Sequence, residues 1–177
     1  MMQKSYSSTS KYLHWIMLAL FIGAYASIEL RVVLERGSDA RALIKVVHYM
    51  FGLSIFALVW WRLLARFRSP AIERENYGKL QTTASSLMFV ALYILMIAMP
   101  ILGYLLISAE GKDVVVFGMN LPLLDIQNEE LGKQIEEIHE TLGKVGYFLI
   151  GFHALAGLFH HFIVKDDTLK RMLRFKG

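Results

Sequence analysis

The chain of 177 residues contains no cysteine. That excludes disulfides, cysteine-ligated iron–sulfur clusters, thiolate zinc sites and the C-x-x-C-H attachment of a c-type haem. Any haem here must be held without a thioether bond. Charge is scarce too: 19% of residues are charged against 55% hydrophobic, and the mean hydropathy is +0.44. Such a chain is too apolar for a typical soluble domain. Its charges gather between long uncharged runs, as membrane spans require. The charge-free cores of those runs hold no carboxylates, which disfavours zinc or proton-relay sites built on Asp and Glu. No internal repeat, low-complexity tract or second domain is visible. The net charge of +4 and the pI near 9.3 could suggest nucleic acid. The basic residues flank apolar runs, so topology explains them and no nucleic-acid role is expected.

What is present is four apolar runs in one domain spanning 1–177. A short polar start with Lys4 and Lys11 leads into an uncharged run from Tyr12 to Ile28. Ala24-Tyr25-Ala26 resembles a signal-peptide cleavage site, but three further spans favour a retained first helix, and cleavage would discard His14. Glu29 to Lys45 mixes both signs. There Gly37-Ser38-Asp39 predicts a turn, with Ser38 or Asp39 capping the second helix. That helix is uncharged from Val46 to Trp61, ends in Arg62, Arg66 and Arg68, and is expected to stop at Pro70. Ala84 to Ile107 is a charge-free run in which Pro100 and Gly103 are expected to bend the helix. An acidic connection, Ser108 to Ile138, follows, and its Glu129–Ile138 part is expected to be helical and to run into the fourth span. The expected spans are roughly 12–30, 44–66, 84–107 and 139–164. The expected fold is an all-α, integral membrane four-helix bundle.

Four spans place the connecting segments on alternating sides. The N-terminus, second loop and C-terminal tail together hold 12 Lys and Arg, and the first and third loops hold 6. The positive-inside bias then puts both termini in the cytoplasm.

The last run, His139 to Lys165, carries four of the six histidines. His139 and His153 are fourteen residues apart, which on a helix is about 1400° of rotation and about 21 Å of rise. They therefore share a face near opposite sides of the membrane core, with Gly143, Gly146 and Gly157 close to the same face. Helix direction gives the other histidines a depth. His48 opens the second span on the outer side, level with His139, and His14 opens the first on the inner side, level with His153. Ionisable residues inside a membrane are rare and raise a functional hypothesis by default. Taken singly, each could be an interhelical hydrogen bonder, and small residues at helical spacing usually mean close packing. Taken as two level pairs on three helices, they fit haem. A low-spin b-type iron takes two axial imidazoles from opposite faces, so each haem needs two facing helices. The expected metal ligands are His48 with His139 at an outer haem b and His14 with His153 at an inner one. Glycines leave room for the macrocycle, and Gly52, one turn after His48, joins Gly146 as a candidate cofactor-binding position. Arg62, fourteen residues after His48, shares its face at the depth of the inner haem. A propionate partner is the expected role, against snorkelling to lipid phosphate.

Three segments resemble the bacterial cytochrome b561 family of di-haem four-helix membrane cytochromes: LHW at 13–15, VVHYMFGLSIFALVWWRLLAR at 46–66 and HETLGKVGYFLIGFHALAGLFHHFIVKDDTLKRML at 139–173. The resemblance covers nearly the whole chain and implies the same four ligands. Some relatives carry extra histidines in the third span, where this chain has none. The last segment is most like members that oxidise superoxide at the outer face and reduce ubiquinone in the membrane. The implied activity is therefore superoxide:ubiquinone oxidoreductase in the bacterial inner membrane, with ubiquinone as acceptor. The alternative is a cytochrome b electron-transfer subunit serving a partner dehydrogenase or hydrogenase, with the acidic third loop as docking surface.

Each substrate end has candidate residues. Arg31, Arg36, Arg41 and Lys45 lie by the outer haem, either to neutralise its propionates or to steer superoxide. His160 lies seven residues beyond His153 and about 10 Å nearer the cytoplasm. It can hydrogen-bond a quinone carbonyl and pass it a proton, or simply sit at the interface. His161 points about 100° away and is the weaker candidate. Trp15, Trp60 and Trp61 read as an interfacial belt, with Trp15 or Trp61 also able to line the quinone pocket.

Overall fold

The computed structural model describes residues 6–68 and 78–173. The expected stop at Pro70 lies outside them, as do Lys4, Arg74, Arg174 and Lys176. The described residues form an all-α four-helix membrane bundle: α1 (Ser8–Val33), α2 (Asp39–Arg68), α3 (Lys79–Glu110) and α4 (Glu129–Phe159). All four helices are long and apolar enough to cross a membrane. A two-stranded hairpin joins α3 to α4, and a π turn and the short α5 (Lys170–Leu173) follow α4.

The helix ends follow from local chemistry. The Ser7 hydroxyl accepts from the Ser10 N–H and starts α1. Ser38 does the same for the Arg41 N–H at 3.2 Å, so of the two candidate caps Ser38 takes the role. Asn128 caps α4 through the Leu131 N–H, and Glu129 and Glu130 follow in the first turn, where the helix dipole favours them. α3 starts at Lys79, five residues before the charge-free run, carries Pro100 inside it and ends at Glu110. Gly111 closes it in the left-handed conformation, φ 62°, with its N–H on the Ser108 carbonyl.

The third connection is not featureless. β1 (Val115–Val116) and β2 (Met119–Asn120) pair antiparallel, and both turn residues, Phe117 and Gly118, have positive φ. That is the hairpin geometry whose twist matches the strands.

The buried core is small and lies where α2 packs between α1 and α3, around Met17, Ala24, Ile55, Val59 and Met96. Gly23 permits a close approach of α2, because a Cβ there would meet the Phe51 ring at 2.5–2.8 Å. Large apolar side chains such as Phe148, Phe152, Leu155 and Phe159 face outward. A bundle whose surroundings are lipid has no reason to bury them.

Candidate haem sites

The four expected ligands come together in two pairs. The rings of His14 and His153 stand 6.1 Å apart, centre to centre, and those of His48 and His139 stand 6.4 Å apart. Two imidazoles on opposite sides of one metal ion would stand about 6.2 Å apart, from about 2.0 Å of metal–nitrogen bond and about 1.1 Å of ring on each side. The ring planes cross at 72° and 74°. Among the described residues no group of three or more His, Cys, Asp or Glu could hold a metal ion. A pair of histidines suits a metal whose remaining donors come with it.

Second partners orient some of these rings. The His48 Nδ1 lies 2.9 Å from the Ala24 carbonyl and 3.3 Å from the Ser27 hydroxyl. A carbonyl only accepts, so Nδ1 carries the proton and Nε2 keeps its lone pair for a metal. His139 packs over α3 at Gly103, where a Cβ would stand 3.4 Å from its Cε1. Gly103 therefore makes room for a ring, a role its reading as a helix bend had missed. The His139 Nδ1 is buried without a hydrogen-bond partner among the described residues.

His14 differs. The Arg62 Nη2 donates to its Nδ1 at 3.2 Å, and the Arg62 Nη1 is buried without a partner among the described residues. Guanidinium only donates, so this contact puts the His14 proton on Nε2. A ligating His14 has to shift that proton to Nδ1 and release Arg62. The freed guanidinium then presents two donors to an acidic group, which is what a haem propionate offers.

The space around the histidines also fits a flat group. Positions beyond Gly52 and Gly157, both near the histidine faces, are open, with nothing within 4 Å of an added Cβ. Gly146 departs from the expectation. The Tyr25 hydroxyl occupies the place of its missing side chain, and Leu95 of α3 would stand 3.1 Å away. Gly143 likewise faces Met99. These two glycines serve packing against α1 and α3. Tyr25 donates to the Gly143 carbonyl at 2.9 Å and stacks 4.2 Å from Tyr147, whose hydroxyl donates to Glu29. No pattern within one helix pointed to this bridge between α1 and α4.

The outer basic residues divide. The Arg41 Nη1 donates to the Arg31 and Leu34 carbonyls at 2.7 and 2.8 Å, so it closes the end of α1. Arg36 is exposed, while Arg31 and Lys45 are half-buried, and the Arg31 Nε is buried without a partner among the described residues. Of the tryptophans, Trp60 and Trp61 are exposed, whereas Trp15 donates to the Met172 carbonyl at 3.3 Å and ties the tail to α1. His161 packs against Phe162.

The sequence matches the family described as Prokaryotic cytochrome b561 over residues 5–175. The chain belongs to that family. It is 40% identical over 170 residues to the Escherichia coli (strain K12) protein named Cytochrome b561 homolog 1, covering 95% of this chain and 96% of the relative. It is 34% identical over 174 residues to the Yersinia pestis protein named Probable superoxide oxidase CybB, covering 97% of each. Cytochrome b561 homolog 2 of Escherichia coli is 30% identical over 173 residues. This cytochrome is therefore a multi-pass membrane electron-transfer protein of a haem b-binding family. The orphaned nitrogens, the open glycine positions and the ring spacings all fit that group.

Proposed function

We propose that this cytochrome holds two haem b groups, one between His48 and His139 and one between His14 and His153, and acts as a superoxide:ubiquinone oxidoreductase. The observation that carries the reading is the pair of ring separations, 6.1 and 6.4 Å, at two depths of one bundle. Haem held by such a histidine pair would supply one-electron transfer. The protein lies in the inner membrane with both termini in the cytoplasm, as the distribution of Lys and Arg supports.

The chain's own residues divide the work by side. At the outer face Arg31 and Lys45 attract a small anion, and Arg41 ties the end of α1, which carries Arg31, to the start of α2, which carries Lys45. At the inner face Arg62 binds a propionate, and His160 hydrogen-bonds the quinone carbonyl. Two superoxide ions each lose one electron and leave as dioxygen, and the quinone takes two electrons and two protons to become quinol. The name of the Yersinia pestis relative, Probable superoxide oxidase CybB, supports superoxide as the electron donor.

A second reading is an electron-transfer subunit for a partner dehydrogenase. Its support is the exposed acidic first part of α4, Glu129, Glu130 and Glu137, together with the exposed Phe117 and Met119 of the hairpin that precedes it. Mixing the purified haem-loaded protein with superoxide and ubiquinone-1, with no partner present, separates the two. The first reading expects prompt haem reduction, quinol formation and a rate that falls with ionic strength. Haems that superoxide leaves oxidised sink it.

A further inference from the structure

At the inner end of α4 the helix widens into a π turn over His160–Val164. Lys165, in the left-handed conformation at φ 60°, closes it. The N–H groups of Lys165 and Asp166 both reach the His160 carbonyl. Such π turns recur at functional sites, because the extra residue re-aims side chains. Here the turn brings Asp166 back against His160. The Asp166 Oδ2 lies 2.5 Å from the His160 Nδ1, with the two side chains 8% and 15% exposed. The other carboxylate oxygen accepts from the Thr168 N–H at 2.8 Å. On the far side of the ring, Nε2 lies 3.1 Å from the Gln81 Nε2, near the start of α3.

The chemistry of each partner orders the protons. A carboxylate accepts, so Nδ1 donates to Asp166, and Nε2 then accepts from the Gln81 amide. The carboxamide can turn to present its oxygen instead, so Gln81 also satisfies an Nε2 that bears a proton. Both protonation states of His160 are therefore hydrogen-bonded on both nitrogens. This is the arrangement of a group that takes up and gives away a proton without rearranging the backbone.

We infer that Asp166, His160 and Gln81 form the proton-delivering site for a quinone, with Asp166 as the positioning residue that fixes the His160 ring through its Nδ1–H and Gln81 on the side from which the quinone carbonyl approaches. The inference rests on the quinone reading above and adds to it the source of the protons. In each proton step the Nε2–H bond of His160 breaks and an O–H bond forms on the quinone. A proton from the cytoplasmic side then recharges the ring held by Asp166. Two one-electron donors at the outer face, such as superoxide, supply the two electrons. Neither Asp166 nor Gln81 had been singled out by helix periodicity. One follows the end of α4, and the other lies on a different helix.

The test uses the full haem-loaded protein, reduced and then oxidised either by ubiquinone-1, which needs protons, or by ferricyanide, which does not. Asp166→Asn should slow the maximal rate with ubiquinone-1 by about a hundredfold, leave KM near its wild-type value and keep or enlarge the slowing in D2O. Oxidation by ferricyanide should not change, and Asp166→Glu should recover part of the rate. The infrared difference spectrum between oxidised and reduced quinone-loaded protein should contain carboxyl bands that Asp166→Asn removes. A wild-type protein that ferricyanide oxidises and ubiquinone-1 does not would overturn the quinone reading and this inference with it. A working wild type whose maximal rate Asp166→Asn leaves unchanged would overturn the inference alone. If Asp166→Asn does not assemble with haem, the exposed Gln81→Ala replaces it. A raised KM for ubiquinone-1 supports the site, and an unchanged KM and rate overturn it.

Discussion

The Tyr25 hydroxyl fills the place where a side chain at Gly146 would begin, and from there it donates to the Gly143 carbonyl at 2.9 Å. One phenol thereby sets the distance between α1, which carries His14, and α4, which carries His139 and His153. Adding a methyl group at 146 has to push it away. Gly146→Ala should destabilise the protein by about 1–3 kcal/mol, the usual range for overpacking. Tyr25→Phe keeps the ring against Tyr147 and should cost only about 1 kcal/mol, the net value of one hydrogen bond. Thermal unfolding of the haem-loaded protein measures both, and a Gly146→Ala protein as stable as wild type would show that the phenol does not set this spacing.

The pairing of ligands predicts how haem is lost. His153→Ala should halve the haem content per chain in a pyridine haemochrome assay and leave the His48–His139 haem in place. Crossed imidazole planes, 72° and 74° here, leave two iron d orbitals nearly equal in energy. The oxidised protein should therefore give strongly anisotropic low-spin electron paramagnetic resonance signals. Retention of both haems in His153→Ala, or rhombic signals typical of parallel planes, would contradict the arrangement.

Gly52 separates fold from cofactor. Nothing lies within 4 Å of a Cβ added there, so Gly52→Leu meets no protein atom at that Cβ. The variant should insert and keep its helical circular dichroism, yet bind less outer haem than wild type. Full haem occupancy would mean that this space is not the macrocycle's.

Arg62 reaches the inner site. Its Nη2 donates to His14, and its Nη1 is buried without a partner among the described residues. Arg62→Leu removes a positive charge beside the proposed inner haem, which favours its oxidised form. Its midpoint potential should fall by roughly tens of millivolts, a magnitude set by one charge several ångströms away at intermediate dielectric. A redox titration reads the shift, and an unmoved or raised potential would place the guanidinium elsewhere.

The number of spans and the depth of each histidine were legible in the sequence, because both depend on one-dimensional quantities. A span must be long and uncharged, and rise and rotation per residue are constants of the helix. His139 and His153 share a face by arithmetic alone, and His14 and His48 find their levels from chain direction. Contacts between helices follow no such period. Gly146 and Gly52 look alike as glycines near a histidine face, yet one is filled by Tyr25 and the other is open. Arg41 and Arg31 look alike as outer cations, yet Arg41 is committed to the carbonyls at the end of α1. Asp166 carries no signal in the sequence, and the π turn folds it against His160. Along one helix, geometry follows from spacing. Across helices, a side chain's role depends on which atoms of another segment reach it first, and only the packed structure decides that.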